Sequence, residues 1–232
     1  MPIEKPQILV INPNSNEAVT EGMAKELGAF NFSDGPEIVC VSLTQGPFGI
    51  ESQADVESVK LPLRNMVSER KDIAAFVIAC YSDPGLQVCR EATASPVFGI
   101  QECGVLAAMA QGDRFGVIAL QERSVRRHLL YLRQMGVMGR FAKERAANLS
   151  VEECASGIKT FDKLCTVAQQ LRDEDQADTI ILGCAGMASH RSGLESRIGI
   201  PVIDPVQAAV SMAMHTVLSK SWKKQINVIA IE

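Results

Sequence analysis

Phe76-Val77-Ile78-Ala79-Cys80 and Ile180-Ile181-Leu182-Gly183-Cys184 are two short apolar runs, each ending in a cysteine. Small or turn-forming residues follow at once, Ser82-Asp83-Pro84-Gly85 after the first and Ala185-Gly186 after the second. A continuous apolar run of this length reads as a strand buried on both faces of a parallel sheet. In open α/β sheets, ligands sit just outside the carboxyl ends of such strands. A single cysteine at that spot reads as a small buried hydrophobe. Two in matched contexts read as a functional pair.

Working outward, residues 7–11 are the first strand signal, and Asn12-Pro13-Asn14-Ser15-Asn16 is a turn. Ser15 or Asn16 can cap a helix running to about residue 29. A strand is expected over 37–42, a loop at Gly46-Pro47-Phe48-Gly49, and a helix over 51–71 that Pro62 kinks or divides. After the strand 75–80, a helix is expected from Pro84 to about Thr93, then a strand at 96–100 and an apolar helix over 101–110. The second cycle has a strand over 115–120 and an amphipathic helix over 122–135 that ends before Gly136. Residues 137–149 are harder to read, with room for a short strand. Ser150 and Glu153 have capping-box spacing, and a helix is expected over 156–172. The strand 179–184, a short strand near Pro201-Val202-Ile203 and a helix over 205–218 complete the pattern. The tail over 223–232 has strand-like residues without a place in it.

Cys80 and Cys184 lie 104 positions apart, and Pro96-Val97-Phe98 and Pro201-Val202-Ile203 repeat at nearly the same offset, each before an alanine-rich helix. Any two βαβ units look somewhat alike. A period of half the chain goes further and implies two related α/β lobes, each a mostly parallel sheet flanked by helices. The lobes are expected at 1–98 and 99–204, with 205–232 a C-terminal helix and tail whose helix 205–219 packs back on the first lobe. If the lobes face each other, a cleft opens between them and both thiols approach it from opposite sides.

Composition narrows the function. A chain of 232 residues with 47% hydrophobic and 22% charged residues is an ordinary globular protein. Its net charge of −4 argues against binding nucleic acid or an anionic membrane surface. No run approaches the ~20 apolar residues that span a bilayer, and Met1-Pro2-Ile3-Glu4-Lys5-Pro6 does not read as a signal peptide. The seven cysteines form no CxxC pair, so neither a disulfide framework nor a zinc site is indicated, and a reducing cytoplasm fits. His128, His190 and His215 have no metal-ligand spacing and read as surface or core residues.

Moving a proton from one face of a carbon to the other needs a base and an acid on opposite sides. A thiol has an ordinary pKa near ~8.5, and hydrogen-bond donors bring it towards neutrality, where it can take and return a proton. Backbone N–H groups after each cysteine are placed to favour the thiolate and hold a developing enolate oxygen. Facing thiols therefore predict racemisation or epimerisation next to a carbonyl, with no metal or organic cofactor. A nucleophilic thioester mechanism would need one cysteine and preferably a histidine, and none adjoins either motif.

Ile11-Asn12-Pro13-Asn14-Ser15, Ile78-Ala79-Cys80-Tyr81-Ser82-Asp83-Pro84-Gly85 and Leu182-Gly183-Cys184-Ala185-Gly186-Met187 resemble motifs of the aspartate/glutamate/hydantoin racemase superfamily. Gly46-Pro47 with Ile50-Glu51-Ser52, and Pro201-Val202-Ile203-Asp204, fit as well. The likeness covers most of the chain and is weakest at 137–155 and after 219. It implies a two-lobed fold, a site in the cleft, cofactor-independent two-base racemisation of a small molecule by Cys80 and Cys184, and frequently a homo-oligomer. Members acting on free amino acids typically follow the first cysteine with Asn-Thr and the second with Thr-His or Thr-Glu. Here the neighbours are Tyr81-Ser82 and Ala185-Gly186, with no cation among them, which points to a neutral cyclic ureide, a 5-substituted hydantoin or allantoin. Amino-acid racemase, decarboxylase, cis–trans isomerase and non-catalytic binder are the alternatives; a decarboxylase of this kind usually keeps one of the two cysteines.

Other candidates have two readings each. Asn12 hydrogen-bonds the ring or serves only the turn before Pro13. Phe48, Ile50 and Tyr81 border the substituent pocket or simply pack. Gly183, Ala185 and Gly186 are small enough for a ring to approach the backbone, or Gly183 is small for packing. Asp83 is expected to cap the helix that follows it. Where the family often carries a threonine after the strand 115–119, this chain has Ala119-Leu120. Cys40, Cys89, Cys103, Cys154 and Cys165 are read as structural thiols.

Overall fold

The computed structural model describes residues 5–154 and 158–219. The first half runs β1 (Gln7–Asn12), α1 (Glu17–Glu26), β2 (Glu37–Ser42), α2 (Gln53–Ser58), α3 (Lys60–Glu69), β3 (Ile73–Ile78), α4 (Leu86–Ala92), β4 (Val97–Gly99) and α5 (Ile100–Met109). The second runs β5 (Phe115–Ala119), α6 (Glu122–Met135), β6 (Phe141–Ala146), α7 (Val151–Cys154), α8 (Ile158–Asp173), β7 (Thr179–Gly183), α9 (Arg191–Ile198), β8 (Val202–Ile203) and α10 (Pro205–Leu218).

Two four-stranded sheets result, ordered β2-β1-β3-β4 and β6-β5-β7-β8, with every pairing parallel. Strand for strand the halves correspond, which is the two-lobed α/β architecture the repeat implies. All six residues of β3 and all five of β7 are buried, because helices cover both faces of each sheet. Strand order reverses direction beside β1 and β3 in one sheet and beside β5 and β7 in the other. Those are the switch points where loops diverge and leave a crevice.

The first sheet divides its alternating side chains between two cores. Leu9, Ile11, Phe76 and Ile78 pack with Leu63, Val67 and Leu86 of α3 and α4. Ile8, Val10, Ala75 and Val77 join a core continuous with Val117, Ile118, Ile181 and Leu182 of the second sheet. At about 2 kcal/mol for each fully buried large aliphatic side chain, that shared core binds the halves into one body. Helices are exchanged in the process: α10, from the end of the chain, packs on β3 and α5, while α5 packs on β7.

Local chemistry sets the element ends, and several differ from the sequence reading. Asn16 caps α1 by accepting from the Ala18 N–H at 3.2 Å, and α1 stops at Glu26, followed by a 3-10 turn over Leu27–Phe30. The helix expected over 51–71 is two helices, and α2 ends at Ser58, four residues before Pro62, the carbonyl that a proline ring excludes. The expected Pro84 start is displaced to Leu86 because Asp83 and Gly85 both take left-handed conformations, φ 41° and 70°. A Cβ on Gly85 would also press on the Lys60 backbone at 3.1 Å. The uncertain stretch after 137 holds β6. Ser150 and Glu153 close a capping box on α7, with N–H to side-chain distances of 2.7 and 3.1 Å. Residues 155–157 and the tail 223–232 lie outside the described residues. Among the described residues no helix is long and apolar enough to cross a membrane.

Asp83 does not cap α4. Its buried carboxylate reaches the next helix and accepts from the Gln101 and Glu102 N–H groups of α5, both at 2.9 Å. Burial pushes its pKa up to about 7 against the pull of those two donors. A Cβ on Gly99 would collide with this carboxylate. Gly99→Ala is therefore expected to lower the unfolding free energy by about 1–3 kcal/mol, the range for overpacking a tight site, measured by urea denaturation.

Candidate active site

Cys80 and Cys184 each stand just past the last residue of a central strand, β3 and β7, at the carboxyl edge of its sheet. Both line one cavity, together with Asn14, Val19, Ile50, Ala79, Tyr81, Ser82, Leu120, Ser124, Arg127, His128, Val151, Gly183 and Ala185. The two switch points thus open onto a common space. Its free volume is about 40 Å³, room for a few water molecules. Glu51, beside Ile50, spans the cleft: its carboxylate pairs with Arg123 of α6 at 2.6 Å and accepts from the Val151 N–H at 3.5 Å.

Of the residues singled out in the sequence, Cys80, Cys184, Ile50, Tyr81, Gly183 and Ala185 line this cavity, whereas Asn12, Phe48 and Gly186 do not. Asn12 is wholly buried; its amide donates to Asn14 Oδ1 and Thr20 Oγ1, both at 3.0 Å, and so shapes the loop that carries Asn14 to the wall. Phe48 is 62% exposed. Gly186 lies beside Cys184, towards which its backbone N–H donates. Gly183 is small for a packing reason as well, since a Cβ there would stand 2.5 Å from the Ile118 carbonyl oxygen.

The two sulfurs are in unlike surroundings. Burial pushes the Cys80 pKa up to about 12, the charge of Cys184 and of Asp83 adds to that, and Arg127 and the Ser82 N–H pull against it. The Cys184 pKa is lowered, first by a hydrogen bond from the Cys154 side chain and then by the Gly186 N–H, against burial. Cys154, buried beneath it, is raised by that same contact and by burial, and stays a thiol. Cys154, read in the sequence as a structural thiol, packs against Cys184. The opposite shifts make Cys184 the more acidic and Cys80 the less acidic of the two sulfurs on the cavity.

Several cavity residues were not legible as such. Arg127 and His128 come from α6, whose buried face carries Ser124, His128 and Leu132 at four-residue intervals. That spacing was visible; its polar members were the available signal. His128 is buried, in keeping with the core side of its sequence reading; its ring stands edge-on to Tyr81 with centroids 5.1 Å apart, and it also lines the cavity. The cation missing from the cysteines' sequence neighbours is supplied by Arg127 from the other lobe. Among the described residues no group of three or more His, Cys, Asp or Glu side chains could hold a metal ion.

The Asp/Glu/Hydantoin racemase family model matches residues 8–213, and the chain belongs to that family. It is an enzyme of the racemase kind. At the level of individual proteins, it is 36% identical over 215 residues to the hydantoin racemase of Paenarthrobacter aurescens, covering 89% of each chain. The hydantoin racemase of Pseudomonas sp. (strain NS671) is 35% identical over 216 residues, 89% of this chain and 84% of that one. Among solved structures, the allantoin racemase from Klebsiella pneumoniae superposes with a TM-score of 0.88 at 30% identity, covering 93% of this chain and 89% of that one.

Cys154→Ala removes the donor that favours the Cys184 thiolate. Alkylation of Cys184 by iodoacetamide at neutral pH should slow about tenfold, the effect of a one-unit rise in pKa, with its pH midpoint displaced upward. Peptide mass spectrometry reads the rate at that cysteine alone.

Proposed function

We propose that this protein racemises a neutral cyclic ureide, a 5-substituted hydantoin or allantoin, by proton transfer between Cys80 and Cys184 without a cofactor. In one direction the Cys184 thiolate takes the proton from the ring carbon, and the electron pair moves onto the neighbouring carbonyl as an enolate. Cys80 then gives its S–H proton to the opposite face. The products are the mirror-image ring, a Cys184 thiol and a Cys80 thiolate, from which the reverse reaction runs by the same steps. The observation that carries this reading is the meeting of both half-buried thiols on one cavity. Their unequal donor sets support opposite resting protonation states. Relatives named for hydantoin and for allantoin support the ureide class.

The substrate's neutrality fits the walls. Ile50, Tyr81, Leu120, Val151 and Ala185 offer apolar contact, and among the described residues Arg127 is the one Lys or Arg side chain on the lining. A free amino acid brings an ammonium and a carboxylate together, and among the described residues no lining carboxylate answers the ammonium. Removing the ring proton is also easier than in an amino-acid carboxylate, where a full negative charge opposes the enolate.

The test is circular dichroism of optically pure ureides, alkyl and aryl hydantoins and allantoin, with aspartate and an arylmalonate alongside. Loss of ellipticity at constant mass is expected for the ureides, and in heavy water one deuterium should enter at the stereocentre. Loss of carbon dioxide, or activity confined to aspartate, would replace this reading. Cys80→Ser and Cys184→Ser should each lower turnover by about 10³-fold, within the range for removing a general acid or base, while far-ultraviolet dichroism stays unchanged. Full racemisation by either variant would defeat the two-base scheme.

A further inference from the structure

Proton exchange between two thiols leaves a polar chain at the same cavity without a part to play. Glu144 of β6 and His128 of α6 are both buried, and Glu144 Oε1 accepts from His128 Nδ1 at 2.6 Å. The opposite ring nitrogen, Nε2, meets Ser82 Oγ at 3.3 Å. Arg127 Nε donates to that same oxygen at 3.1 Å. The chain starts on the second sheet, crosses α6 and ends in the first lobe, two residues beyond Cys80. Ser82, Arg127 and His128 all line the cavity.

Taking a carboxylate out of water is costly, and a buried pair is weak as a source of stability. What such a pair does well is fix geometry. With Glu144 accepting at Nδ1, that nitrogen carries the proton and Nε2 is presented to the Ser82 hydroxyl in a set orientation. The hydroxyl in turn anchors the guanidinium at Nε. Among the described residues the two terminal nitrogens of Arg127 make no hydrogen bond, so they remain available on the half-buried side of α6.

We propose that Arg127 is the counter-charge of Cys80, set beside that sulfur by the Glu144–His128–Ser82 chain. The inference rests on the two-thiol reading for its catalytic meaning. Each turnover in one direction carries a negative charge from the Cys184 side of the cavity to the Cys80 side. Cys184 has Cys154 and the Gly186 N–H to hold that charge. Cys80 has the Ser82 N–H, and Arg127 completes the set with a cation that cannot lose its proton. The other charged groups around the pair divide cleanly. Cys184 and Asp83 oppose an anion at Cys80, while Asp55 of α2 and Glu144 draw on Arg127 and Arg123 repels it.

The test is the rate of iodoacetamide alkylation of Cys80 and Cys184, resolved by peptide mass spectrometry from about pH 6 to about pH 11, across the range where thiols titrate. Arg127→Gln should slow Cys80 about tenfold at each pH of the scan, with the Cys184 curve in place. Arg127→Lys should recover most of the loss, and Ser82→Ala should give an intermediate loss, since the cation remains but is unanchored. A Cys80 curve in Arg127→Gln that superposes on the parent's overturns the proposal, as does equal slowing at both cysteines. If Arg127→Gln does not fold by far-ultraviolet dichroism, Ser82→Ala decides, and an unchanged Cys80 curve in that variant overturns it. No substrate is used. A protein inert towards every ureide therefore defeats the racemase reading alone, and unchanged alkylation defeats this inference alone.

Discussion

Parallel pairing of β1 with β3, and of β5 with β7, is what the remaining structure depends on. Parallel strands all point their carboxyl ends to one edge, so whatever follows each central strand is delivered to the same side of its sheet. Because the two sheets share a hydrophobic core through Ile8, Val10, Val77, Val117 and Ile181, those edges are held facing one another. The cysteines after β3 and β7 then meet without any special local device. A slip of one residue in either strand would turn its buried side chains to the wrong face and move the thiol off the cavity.

Around that meeting point the two halves are built differently. Topology is duplicated; electrostatics is not. On the second lobe a buried thiol, Cys154, and the Gly186 N–H surround Cys184. Across the cavity, Cys80 sits near a guanidinium that the other lobe supplies, with Asp83 three residues beyond it tied into the first turn of α5. Symmetric strands carrying asymmetric neighbours yield two sulfurs of unequal acidity. A strictly symmetric pair would have to break that tie by itself.

The sheet strands, the internal repeat and the two cysteines were legible in the sequence because each is a local pattern: an apolar run, a fixed offset, a turn. Helix ends were less so, since they answer to geometry several residues away, as with the carbonyl of Ser58 under Pro62 or the left-handed turn at Asp83 and Gly85. The cavity's polar wall was least legible. Arg127 and His128 lie far from either cysteine motif in sequence, and only the docking of α6 against the first lobe brings them there. The contact of Cys154 with Cys184 was not legible either, since nothing in Val151-Glu152-Glu153-Cys154 announces it. Phe48 followed a loop motif in sequence, yet the loop turns its aromatic ring outward and delivers Ile50 instead.

The exchange of α5 and α10 between the sheets bears on how such a chain could have arisen. A lone half, ending in its alanine-rich helix, would have that helix's apolar face matched to a sheet it does not possess. Two identical halves could satisfy each other by trading helices about a two-fold axis, burying the same surface twice.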